Sequence, residues 1–258
     1  MDKTMRVALT GGSTGIGAAV VQKLHEAGHQ VTVFDIAEPN SPVEQWINAD
    51  LSDPTSIQDA ISQANGTFDA LINNAGLPPR EGLKELILKV NFYGFRAFLE
   101  TFEGKLNQGA AIVNTASRAG AMWRQNLDQV KAFMASDWSN LSAFLAEHDI
   151  DATRAYNLSK EAVIVYTLGH TERMIQKDIR MNSVSPAAVS TGILEDFTRA
   201  FGPKVAKNIE RAGRPGLPEE VADIILFLIS SESGWIKGQD ITIDGGMSAM
   251  GMTDMMGL

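Results

Sequence analysis

The sequence predicts an α/β protein: a doubly wound, parallel sheet of seven strands with helices on both faces. Three observations predict it. Short apolar or β-branched runs alternate with amphipathic stretches from end to end. A cluster of glycines lies where the first such run gives way to the first helical pattern. A chain of 258 residues, 44% of them hydrophobic, is long enough to bury one full core. The span 1–258 therefore reads as one domain.

Strands are expected at 6–10, 30–34, 46–49, 70–73, 110–114, 180–184 and 240–243. Helices are expected at 15–27, 83–105 and 156–176, where apolar residues recur at three- and four-residue intervals. Leu217-Pro218-Glu219-Glu220 opens a further helix, because proline and acidic residues suit a first turn. The stretch 121–154 is too long for a simple strand-to-helix connection and carries its own helical period at Val130, Phe133, Met134, Leu141, Phe144 and Leu145. It reads as a helical insertion. The tail 247–258 is rich in Met and Gly and is expected to be mobile or docked on something; no linker, low-complexity tract or repeat breaks the chain.

A formal charge of −9 argues against a phosphate backbone or an anionic membrane surface as the main partner, since both attract basic patches. The expected partner is a small molecule, with no nucleic acid and no membrane. The absence of cysteine excludes disulfides, thiolate nucleophiles and Cys-ligated metals. His25, His29, His148 and His170 form no ligand-like i,i+4 pair, so no metal is expected. Residues 1–6 are polar and lead straight into a strand, from which a cytoplasmic location is expected.

Thr10-Gly11-Gly12-Ser13-Thr14-Gly15-Ile16-Gly17 places glycines where a strand turns into a helix and backbone amides must approach a diphosphate. Gly11, Ser13, Thr14, Gly15, Ile16 and Gly17 are thus candidate cofactor contacts; a plain tight turn is the alternative. Asp35, followed by Ile36, ends the second strand where a carboxylate can accept hydrogen bonds from adenosine ribose hydroxyls, or simply cap the strand. It would repel a 2′-phosphate. With no Arg or Lys in 11–17 or 30–42, NAD is favoured over NADP.

Alcohol or carbonyl chemistry needs a group that gives or takes a proton at the reacting oxygen near neutral pH. A free tyrosine, with a pKa of about 10, needs a fixed cation to favour its charged form. Tyr156 and Lys160 are four residues apart, so a helix projects them from one face, and the ammonium is expected to keep the phenol acidic. Ser117 lies just beyond a predicted strand end, where its hydroxyl can polarise a substrate oxygen. Asn91 sits mid-helix, where propensity does not justify an amide.

These pieces, with Asp50-Leu51, Asn73-Asn74-Ala75-Gly76, Val90-Asn91, the run 112–117, Tyr156-Asn157-Leu158-Ser159-Lys160, the run 182–191 and Asp244-Gly245-Gly246, resemble in order and spacing the short-chain dehydrogenase/reductase family. The resemblance runs from residue 6 to about residue 246 and implies a Rossmann fold binding a nicotinamide cofactor. It implies that Asp50 and Leu51 contact adenine and that Asn73, Ala75 and Gly76 line the cofactor. It implies that Ser117 and Tyr156 touch the substrate oxygen, that Lys160 also meets the nicotinamide ribose, and that the Asn91 main chain holds a water leading to Lys160. The segment Pro186-Ala187-Ala188-Val189-Ser190-Thr191 resembles one that closes over the nicotinamide and binds its carboxamide through Val189 and Thr191. Ala187 stands where the family usually has glycine, and alanine resists positive φ.

Ser117 precedes Tyr156 by 39 positions, far more than the family's usual spacing. The added residues are expected to form a substrate cover or an altered oligomer contact, with a surface hairpin as the plain alternative. This spacing and Gly234-Trp235-Ile236-Lys237-Gly238-Gln239 resemble a subgroup of hydroxysteroid and coniferyl-alcohol dehydrogenases, which implies a bulky apolar alcohol or carbonyl substrate. Met122, Trp123, Phe133, Trp138, Phe197 and Phe201 are candidate pocket residues, or else plain core. A homodimer or homotetramer is implied by the same resemblance. The competing functions are a non-catalytic NAD-binding scaffold or regulator and a reductase of small aliphatic ketones.

Overall fold

Continuous apolar runs make strands that both faces of a sheet can bury, and seven of them pair in parallel. The computed structural model describes residues 4–258. Its strands are β1 (Arg6–Thr10), β2 (Gln30–Asp35), β3 (Gln45–Asn48), β4 (Phe68–Asn73), β5 (Leu106–Thr115), β6 (Arg180–Pro186) and β7 (Asp240–Ile243), in the order β3-β2-β1-β4-β5-β6-β7. Along β1, Val7 and Leu9 face one buried cluster and Ala8 the other, so the sheet separates two cores. The order reverses between β1 and β4, and a crevice opens at their carboxyl ends.

On one face α1 (Gly15–Glu26) and α11 (Pro218–Ile229) pack Val20, Val21, Leu24, Val221 and Ile225 against the sheet. On the other lie α2 (Pro54–Gln63), α3 (Lys84–Leu88), α4 (Phe95–Phe102) and α7 (Ala152–Gly169), around Ile57, Phe98, Phe102 and Leu158. None of the described helices is long and apolar enough to cross a membrane.

The long helix expected at 83–105 is broken. A π-helical turn, Lys89–Gly94, separates α3 from α4, and a 3-10 turn, Glu103–Lys105, ends the run. Gly94 lies so close to Leu51 that a Cβ there would sit 2.0 Å from the Leu51 carbonyl oxygen. The helix expected at 156–176 begins earlier, at Ala152, because the Asp151 side chain accepts from the Arg154 amide and caps it. It breaks at His170 and resumes as α8 (Thr171–Gln176).

The stretch 121–154 does form helices, α5 (Leu127–Ala135) and α6 (Leu141–Glu147), but it is no surface hairpin. Phe133 is fully buried, 5.1 Å from both the Phe92 and the Tyr93 rings, and Val130, Leu141, Phe144 and Leu145 are buried with it. After β6 come two helices that the sequence pattern did not reveal, α9 (Leu194–Phe201) and α10 (Pro203–Ala212). The tail forms α12 (Met247–Met256), tied down where Asp244 accepts from the Ser248 and Gly246 amides and from Arg118 Nε.

Candidate active site

The glycine loop joins β1 to α1. Gly11 and Gly15 have φ of +73° and +56°, backbone that an L side chain rarely adopts. A Cβ on Gly17 would lie 1.8 Å from the Gly11 carbonyl oxygen, so only glycine lets the loop fold onto the helix start. The Thr14 side chain leaves the N-terminus of this 12-residue helix uncapped, and no acidic residue occupies its first turn. Its leading amides are therefore oriented toward an anion. Asp35 accepts from the Ser13 amide at 3.0 Å and the Ala37 amide at 3.1 Å, which fixes its carboxylate at the rim of this loop. Thr191, from the segment after β6, closes the other side, with its Cγ2 3.4 Å from where a Gly15 Cβ would be. These residues fit a dinucleotide: free helix-end amides for the diphosphate and a carboxylate one strand away for the ribose.

Ser117 follows β5 and opens a 3-10 turn, its Oγ accepting from the Ala119 amide at 3.2 Å. Tyr156 and Lys160 lie on one face of α7, both buried. The Ser117 hydroxyl donates to the Pro186 carbonyl at 3.5 Å and lies near enough to the Tyr156 phenol to lower its pKa. Lys160 Nζ lies 5.9 Å from the Tyr156 ring centroid and donates to the Thr115 carbonyl at 2.9 Å. Gly76 borders the same point: a Cβ there would be 3.4 Å from Lys160 Nζ. The structure thus gathers Ser117, Tyr156 and Lys160 at the carboxyl end of β5, beside the glycine loop.

The electrostatics differ from the sequence expectation of an acidic phenol. Burial pushes the Tyr156 phenol up to about 12, with the Ser117 hydroxyl opposing it, and burial pushes the Lys160 ammonium down to about 8. Desolvation wins because both groups lie under protein, and the ammonium is aimed at a carbonyl rather than at the phenol oxygen.

Asn91 lies in the π-helical turn, and its amide is satisfied structurally: Oδ1 accepts from the Leu77 amide at 2.7 Å, and Nδ2 donates to the Leu77 carbonyl at 3.0 Å and to Ser159 Oγ at 3.3 Å. It clamps the loop 76–77 onto α7. Asn73 points away from the cleft; its Nδ2 donates to Asn114 Oδ1, whose own amide donates to Thr167 Oγ1 under the sheet. Only its main chain is placed to line a cofactor. Ala75 and Gly76 do border the cleft, Ala75 packed on Gly11. Asp50 does not cap α2, a task taken by Asp53; its Oδ1 accepts from the Ser52 amide and hydroxyl. Leu51 is buried beneath Gly94, and Ile36 is 69% exposed at the rim. Ala187 is not among the non-glycine residues with positive φ, so alanine costs no strain there.

Of the candidate pocket residues, Phe197 stands edge-on to Tyr156, their ring centroids 5.3 Å apart, with Phe201 stacked behind it at 6.3 Å. Phe133 is core, Trp138 packs on Tyr93 at 5.6 Å, and Met122 is exposed. Sequence reasoning missed Asn74: its Nδ2 donates to the Gly11 carbonyl and its Oδ1 accepts from Thr115 Oγ1, tying the glycine loop to the end of β5. The tetrad 73–76 was the signal, but nothing local says which Asn faces the cleft.

A family model described as enoyl-(acyl carrier protein) reductase matches residues 11–248. The chain belongs to the short-chain dehydrogenase/reductase family. Members of this family are oxidoreductases that use a nicotinamide cofactor. A coniferyl-alcohol dehydrogenase of a Pseudomonas species is 32% identical over 247 residues, covering 95% of this chain and 96% of its own. The 3-alpha-hydroxysteroid dehydrogenase/carbonyl reductase of Comamonas testosteroni is 28% identical over 256 residues, with 95% and 96% covered. Among solved family structures, the 3-alpha-hydroxysteroid dehydrogenase of Pseudomonas sp. B-0831 complexed with NADH is similar with a TM-score of 0.81 and 30% identity, covering 95% of this chain and 97% of that one.

Proposed function

We propose that this chain is an NAD-dependent dehydrogenase/reductase interconverting an alcohol and a carbonyl, acting on a bulky apolar substrate such as an aromatic alcohol or a hydroxysteroid. The observation that carries the reading is the convergence of Ser117, Tyr156 and Lys160 beside an uncapped helix start. A bound nicotinamide would supply or accept the hydride. The chain's own residues do the rest. Tyr156 gives its phenolic proton to the carbonyl oxygen, or takes one from the alcohol, while Ser117 shares that oxygen and polarises it. Lys160 supplies charge beneath them and contacts the nicotinamide ribose, and the Asn91 main chain leads a water to it.

In this reading Gly11, Ser13, Thr14, Gly15, Ile16 and Gly17 form the diphosphate cradle, the first α1 amides donating to it while the Gly11 and Ser13 amides brace the loop on Phe34 and Asp35; Asp35 and Ile36 hold the ribose edge, and Asp50 and Leu51 the adenine. Asn73, Ala75, Gly76 and the segment Pro186, Ala187, Val189 and Thr191 flank the nicotinamide half. Asp35, with no Arg or Lys in 30–42, supports NAD over NADP, as does the NADH bound by the relative described above. Phe197 against Tyr156 supports an apolar substrate. A homodimer or homotetramer is the proposed assembly, which light scattering would test.

The test is absorbance of the reduced nicotinamide with NAD or NADP and a panel of aromatic, steroid and aliphatic alcohols. Turnover with NAD and a bulky alcohol is expected; silence with every alcohol and both cofactors would leave a scaffold. Asp35→Ala should narrow the preference for NAD, and an unchanged NAD/NADP ratio would remove Asp35 from cofactor choice.

A further inference from the structure

Three strands deliver the walls of the cleft. The segment after β4 carries Arg80, the segment after β5 carries Ser117, and the segment after β6 leads to α9; β5 lies between the other two in the sheet. Any contact between Arg80 and α9 must therefore cross the mouth above Ser117. One such contact exists: Arg80 Nη2 donates to Asp196 Oδ2 at 2.8 Å, joining residues 116 positions apart.

The two sides of this contact are built differently. Arg80 follows Pro78 and Pro79, both buried, whose rings fix φ and hold the arginine on a stiff post. α9 and α10 are held more loosely: Phe197 and Phe201 pack on the core only partly buried, and α10 is tied to α12 by the exposed pair of Arg211 and Asp254. Asp196 is the one buried residue of α9, and α10 has none. A segment whose apolar residues are only partly buried opens at lower free energy than a core helix, so an ion pair at the one buried side chain of α9 weighs in its position. Asp196 has one further cation, Arg199 of its own helix at 3.8 Å, which cannot tie α9 to anything else. The residue beside Asp196 is Phe197, which faces the Tyr156 ring.

We propose that the Arg80–Asp196 ion pair is a clasp across the active-site mouth that seats α9, so that Arg80 and Asp196 are positioning residues whose contact sets selectivity for bulky apolar substrates through Phe197. Substrate selectivity rests on the function proposed above; the clasp itself does not. With the clasp closed, Phe197 forms a fixed apolar wall beside the reacting oxygen, which a large ring system uses and a short aliphatic chain does not reach. With it open, a large substrate must reorder α9 on binding and pays in KM.

The test uses the whole protein and two readouts. In ligand-free protein, amide hydrogen exchange over 194–212 is compared between wild type, Arg80→Gln and Arg80→Lys, at low salt and in molar sodium chloride. Arg80→Gln should speed exchange there by about fivefold to tenfold, high salt should move the wild type the same way, and Arg80→Lys should restore part of the protection. In turnover, Arg80→Gln should raise KM for a bulky aromatic alcohol by about the same factor, with kcat and the KM of a short aliphatic alcohol little changed. Exchange over 194–212 unchanged in Arg80→Gln would overturn the clasp. Equal rises in KM for both alcohols would overturn its role in selectivity. If the wild type turned over no alcohol, the proposed function would fall while the exchange data still decided the clasp.

Discussion

Burying a tyrosine and a lysine together has a chemical consequence at the scale of single residues. With the phenol pushed up to about 12 and the ammonium down to about 8, both groups hold their protons at pH 7. The resting site is set to donate a proton, the requirement of carbonyl reduction. Alcohol oxidation needs the phenolate, whose fraction grows tenfold with each unit of rising pH below its pKa. Oxidative kcat/KM should therefore climb from pH 7 to pH 9, while reductive kcat/KM stays level near neutrality. A flat oxidative profile measured by steady-state kinetics would contradict Tyr156 as the base. Tyr156→Phe should lower turnover by about 100-fold or more while calorimetry still detects NAD binding. The spacing of Tyr156 and Lys160 was legible in the sequence because a helix puts i and i+4 on one face. The direction of their titration was not, because it depends on desolvation by protein around both groups, to which distant parts of the chain such as Phe197 contribute.

At the scale of elements, α3, the π-helical turn and α4 show where periodicity misleads. The apolar spacing of 83–105 is helical throughout, yet the backbone widens at Lys89–Gly94 and carries Asn91 to both main-chain groups of Leu77. Gly94 reveals the constraint only in three dimensions, through the Leu51 carbonyl. Gly94→Ala should force the two segments apart at a cost of about 1–3 kcal/mol, read as a lower midpoint in urea. Unaltered stability would show that the turn yields freely. The same element logic makes Asp151 intelligible: an N-cap starts α7 a full turn ahead of Tyr156, so the residue proposed to move the proton lies in helix interior and not at a fraying end.

At the scale of the molecule, the stretch 121–154 belongs to the core. Its Phe133 fills a site among Phe92, Tyr93 and Phe144, and Arg154 makes a bidentate pair with the fully buried Glu161, next to Lys160. Phe133→Ala should cost about 3–5 kcal/mol in denaturant unfolding, the range for emptying a buried aromatic site. A loss below about 1 kcal/mol would mark the stretch as a detachable cover.

By itself the sequence determined the seven strands and the parallel doubly wound plan, because alternating periods and the glycine turn are local properties. It also named the candidates that the structure brings together: the Ser117, Tyr156 and Lys160 set, with the carboxylate of Asp35 at the rim of the glycine loop. The tertiary structure alone decided which side chains face the cleft. Asn73 turns under the sheet while its neighbour Asn74 holds the glycine loop, and Phe197 meets Tyr156 while Phe133 enters the core. The physical reason is that facing, desolvation and close approach are set by partners tens of residues away, and no periodicity within one segment encodes where those partners come to rest.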